Sequence, residues 1–93
     1  MAVPTLEFPE YFDELVAWEV EAKGVFEDAR VRTGETSVSV AFFDPTRLAQ
    51  EVEAQTAAGR AFLVKRLLVV PKLTVRNMRD AVADAPAAFF ERA

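Results

Sequence analysis

Apolar residues recur at spacings of three and four between Phe8 and Ala22, through Tyr11, Leu15 and Trp18, with Phe12 and Val16 widening the stripe. This spacing predicts a first helix over residues 9–23, with that stripe facing inward. Pro9 suits a first helical turn, and Gly24 is a natural stop. A competing pattern exists, because Val16, Trp18 and Val20 alternate with Ala17, Glu19 and Glu21 as in a half-buried strand. The helical pattern runs longer and is preferred.

Alternation then takes over. Over residues 25–32, Val25, Glu27, Ala29 and Val31 alternate with Phe26, Asp28, Arg30 and Arg32, which predicts a short strand. Thr33–Gly34–Glu35 reads as a turn. Residues 36–43 form the clearest strand, with Val38, Val40 and Phe42 on one face and Ser37, Ser39 and Ala41 on the other. The short loop between these strands predicts a hairpin.

Asp44–Pro45 is a helix start, a capping acid followed by a proline at the first helical position. The second helix is expected to run to about Ala58, with Leu48, Ala49, Val52 and Thr56 inward. Residues 61–70 are apolar on both faces apart from Lys65 and Arg66 and predict a central strand ended by Pro71. Thr74 caps a third helix whose stripe is Val75, Met78, Ala81, Val82 and Ala85. Pro86 ends it, and a last turn follows that carries Phe89 and Phe90. The expected fold is α+β, a small two-layer α/β sandwich. Its mixed sheet has three strands, and about three helices give the order α-β-β-α-β-α.

The chain of 93 residues accommodates one domain, taken as residues 1–93. A folded monomer of its 10.3 kDa should expose about 5,300 Å². Cysteine and histidine are both missing from the sequence. Thiolate chemistry, Cys-based zinc sites and the usual general base near neutral pH are therefore excluded. An enzyme is disfavoured, and no cofactor is assigned. The opening residues carry no basic targeting region, and the apolar run at 61–70 is too short for a membrane span. The expectation is a cytoplasmic, acidic protein that does not engage membranes.

Charge changes this picture most. Net charge is −4, but residues 1–28 hold eight acids against Lys23 alone, a balance of −7. Residues 60–79 hold six basic residues and no acid, a balance of +6. These segments either pack together and neutralise or present polar surfaces to partners. Lys65, Arg66, Lys72, Arg76 and Arg79 form a candidate surface for an anionic ligand or partner. Glu10, Asp13 and Glu14, with Phe89 and Phe90, form a second candidate partner surface. The terminal aromatics have an alternative role, closing over the sheet as core.

The favoured function is a small non-catalytic protein-binding or regulatory domain: an accessory subunit, or an antitoxin-like or immunity-like inhibitor, self-associating as a homodimer. The partner is then another protein or a second copy of the chain. One alternative is a small enzyme or metabolite-binding domain that recognises an anionic ligand. The other is a nucleic-acid-binding accessory protein using the 60–79 basic segment. Nucleic acid is disfavoured by a sequence pI near 4.8 and by the lack of a stacking platform.

Overall fold

The computed structural model describes residues 3–91. Eight elements follow one another: β1 (Thr5–Glu7), α1 (Glu14–Lys23), β2 (Val25–Thr33), β3 (Thr36–Phe43), α2 (Pro45–Ala57), β4 (Leu67–Val69), α3 (Val75–Asp84) and a 3₁₀ helix (Ala87–Phe90). The strands form one mixed sheet in the order β1-β2-β3-β4. The first two pairings are antiparallel and the last is parallel. The fold is thus a small α+β domain with three helices in the expected order. A short strand, β1, precedes α1 and extends the sheet.

Side-chain caps set the helix starts. The Asp13 carboxylate accepts from the Val16 N–H at 2.9 Å, and Asp44 accepts from the Arg47 N–H at 2.7 Å. The Thr74 hydroxyl accepts from the Asn77 N–H at 3.0 Å. Each satisfies a backbone donor that the first helical turn leaves without an internal partner. The cap at Asp13 starts α1 later than the apolar stripe predicts. Residues 9–12 instead form a turn closed by a bond from the Phe12 N–H to the Pro9 carbonyl at 3.0 Å. Gly24 ends α1 at φ 73°, and a Cβ there would run into the Asp44 carboxylate.

The hairpin forms as expected, with Thr33 opposite Thr36. Gly34 takes a φ of 63° in the turn. Between Phe26 and Ala29 the ladder slips, and Glu27 and Asp28 together oppose Ala41. This β-bulge resets the alternation, so Phe26 shares the face of Ala29 and Val31 rather than that of Arg30.

The predicted strand at 61–70 shortens to three residues. Only Leu67–Val69 pair with Ala41–Phe43, at the sheet edge rather than its centre. Arg66, at φ 53°, is the only described non-glycine residue with positive φ, and it turns the chain into β4. The segment before it is irregular and connects α2 to the strand.

The main core lies on one face of the sheet. Phe26, Ala29 and Val31 of β2 and Val38, Val40 and Phe42 of β3 meet Val20 of α1 and Met78 and Val82 of α3. Leu6, Val70, Leu73 and Phe90 complete it. Phe8 and Phe12 stack at 4.3 Å, and Phe12 packs on Phe26 at 5.3 Å. Full burial of a side chain such as Phe42 contributes about 1.5–3 kcal/mol. The other face divides. Ala41 and Phe43 are buried, with Phe62 edge-on to Phe43 at 6.0 Å. At the hairpin end Arg30 spans Ser37 and Ser39, and Arg32 pairs with Glu7 at 2.9 Å. No residue of α2 is fully buried. Among the described residues, no helix is long and apolar enough to cross a membrane.

Candidate interaction surface

Two large side chains of α1 and one beside it face away from the core. Val16 and Val20, four apart, turn toward the sheet, and Val20 is buried. Leu15 and Trp18 are 63% and 69% exposed, and Tyr11, in the turn before the helix, is 53% exposed. The expected inward stripe is therefore corrected: Tyr11, Leu15, Trp18 and Ala22 lie outside. The inner positions go to Val16 and Val20 because the turn at 9–12 already fills the core's edge with Phe8 and Phe12. Once those rings are in place, only one narrow face of α1 can reach the sheet.

The outer face has an acidic border on both sides. Leu15, Trp18 and Ala22 share a surface through their spacings of three and four. Glu14 and Glu21 stand four before and three after Trp18, on one flank. Glu19 stands four after Leu15, on the other. Glu14 also opens the helix, where a carboxylate complements the dipole. Asp13 is occupied as the cap, and Glu10 is exposed in the preceding turn. The predicted acidic trio thus clusters at the start of α1.

The bulge holds one end of this surface in place. It projects Asp28 so that the carboxylate accepts a hydrogen bond from the Tyr11 hydroxyl. That bond, with partial desolvation and the nearby negative charge of Asp28, raises the Tyr11 pKa above its ordinary value near 10.0. Tyr11 therefore stays neutral and a donor at physiological pH. Beside it a groove of about 380 Å³ runs between α1 and β2, lined by Tyr11, Glu19, Lys23 and residues 25–28. Neither the bulge nor the Tyr11–Asp28 bond has a clear signal in the sequence. The acid pair interrupting an otherwise alternating strand is the one hint.

The basic residues are spread over several elements. Lys65 is exposed before β4, and Arg66 is half-buried and donates to the Glu91 carbonyl at 2.8 Å. Lys72 is exposed after β4, and Arg76 lies on the outside of α3. Arg79 sits over the Phe8 ring, 5.7 Å from its centre. The ion pairs among the described residues are Arg32–Glu7 and Arg47–Glu51, so none joins the 60–79 segment to the acidic first third. Of the two alternatives for these segments, mutual neutralisation does not take the form of ion pairs among the described residues. The same 60–79 segment carries exposed apolar side chains, Leu63 at 87% and Val69 at 48%.

The C-terminal aromatics close over the sheet. Phe90 is buried and Phe89 half-buried against it, ring edge to face at 5.2 Å. Phe90 therefore presents no ring to a partner. No three acidic side chains among the described residues converge to hold a metal ion. The chain matches no family model, no curated protein and no solved structure.

Proposed function

We propose that this chain is a small protein-binding domain acting in the cytoplasm, as an accessory subunit or inhibitor, and that it docks its partner on the outer face of α1. One observation carries the reading: the only tryptophan and the only tyrosine of the chain are both exposed, on α1 and the turn before it. Aromatic side chains of these two types are the commonest anchors of protein interfaces. A folded chain gains nothing by leaving them in water, whereas a partner that covers them gains their apolar area. The Asp28 bond fixes the Tyr11 ring before any partner arrives, which lowers the entropy cost of docking. The flanking Glu14, Glu19 and Glu21 favour a partner surface with an apolar centre and basic edges.

The test is affinity capture from the source cell extract, with nuclease present and at two salt concentrations, comparing wild type with Trp18→Asp. A protein retained in stoichiometric amount by wild type and by Arg76→Glu, and lost by Trp18→Asp, supports the reading. Equal retention by Trp18→Asp, or a partner released by nuclease, overturns it.

A further inference from the structure

We infer that the outer face of α1 is covered by a second copy of this chain, through the 60–72 segment, which carries the exposed Leu63 and Val69. This rests on α1 being a docking face and names its occupant. Two observations converge on it. First, the two surfaces are chemical complements. The α1 face sets Leu15 and Trp18 between Glu14, Glu19 and Glu21, while the 60–72 segment carries exposed Leu63 and Val69 close along the chain to exposed Arg60, Lys65 and Lys72. Second, that complementarity is unused within one molecule, since no ion pair among the described residues joins the two segments.

The contact joins unlike surfaces. An α1–α1 pairing would bring the acids of both copies together, whereas α1 against the 60–72 region brings acid to base. Repeated twice about a twofold axis, the contact closes a dimer. Used once per copy, it builds a ring or a chain. Because the edges are charged and solvated, association weakens as salt rises.

The experiment is sedimentation velocity on wild type, Trp18→Asp, Leu63→Asp and an equimolar mixture of the two variants. Both substitutions fall at exposed positions, and circular dichroism checks that each variant keeps its fold. Wild type is expected to self-associate. Each variant alone should lose affinity by about 30-fold or more, the scale of an interface anchor. The mixture should recover a two-chain species, because Trp18→Asp keeps the Leu63 surface and Leu63→Asp keeps the Trp18 surface. A wild type that stays monomeric up to about 0.5 mM overturns self-assembly. It leaves the α1 reading to the capture experiment. Association lost by Trp18→Asp but kept by Leu63→Asp also overturns the pairing of unlike surfaces, in favour of α1 against α1. Association unaffected by Trp18→Asp overturns the self-contact through α1 and leaves the α1 reading to the capture experiment.

Discussion

Helices α1 and α3 are each ten residues long and pack on the same face of the sheet, yet they divide their side chains differently. In α3 the apolar positions form one stripe. Met78 and Val82 are buried, Val75, Ala81 and Ala85 are half-buried, and Arg76, Arg79 and Asp80 face water. In α1 the apolar residues occupy both sides: Val16 and Val20 inside, Leu15, Trp18 and Ala22 outside. Folding accounts for every large apolar side chain of α3. It accounts for only half of those on α1. A helix apolar on two sides needs two burial environments, and the sheet supplies one. That difference separates what the helix does for stability from what it offers to a partner.

The comparison breaks first, and with the largest effect, if the two helices respond alike to truncation. Met78→Ala should cost about 2–5 kcal/mol, since it leaves a cavity under α3. Trp18→Ala, although it removes a larger side chain, should change stability by no more than about 0.5 kcal/mol. Urea unfolding of the two variants at one protein concentration, low enough to hold the chain monomeric, measures both. A loss at Trp18 as large as that at Met78 would mean that the ring packs within its own molecule.

The helix caps sharpen the comparison at a smaller scale. Asp13→Ala and Thr74→Ala each remove one bond to a first-turn N–H and should cost about 1 kcal/mol. The two costs should be similar, because a cap acts on its own helix regardless of where the other faces point. Thermal unfolding would reveal a much greater loss at Asp13, which would make the 9–13 turn part of the core's support rather than a local start.

The smallest effect is a pH dependence confined to the α1 side. The Tyr11 pKa is raised in the folded chain, so its bond to Asp28 contributes stability below the ordinary tyrosine value, near 10.0. The contribution is lost as pH rises through the raised value. Stability of wild type should therefore fall more steeply than that of Tyr11→Phe in alkaline solution. Identical slopes for the two proteins would show that the Asp28 bond adds nothing to the folded state.

Much of the fold was legible in residue order. Asp44–Pro45, Thr74 and Gly24 marked helix ends because caps are local chemistry, decided within a few residues of the chain. The hairpin followed from alternation and Gly34, and the α3 stripe from its period. Where local patterns carried two answers, residue order did not choose. Leu15 and Trp18 fit a helical stripe as well as Val16 and Val20 do. The inward pair was decided by Phe8 and Phe12, which fill the edge of the core from the turn and leave only that narrow face of α1 against the sheet. The bulge at Glu27–Asp28, which brings Phe26 inside and Asp28 to Tyr11, depends on the register with β3. The length of β4 likewise was not set by the apolar run at 61–70: Arg66, at φ 53°, turns the chain just before Leu67, and only Leu67–Val69 pair with β3. The sequence by itself determined the elements, their ends and the imbalance of charge, because these rest on near-neighbour contacts and composition. Only the tertiary structure decided which apolar face of α1 stays in water, because that choice belongs to residues far apart in the chain competing for one side of a small sheet.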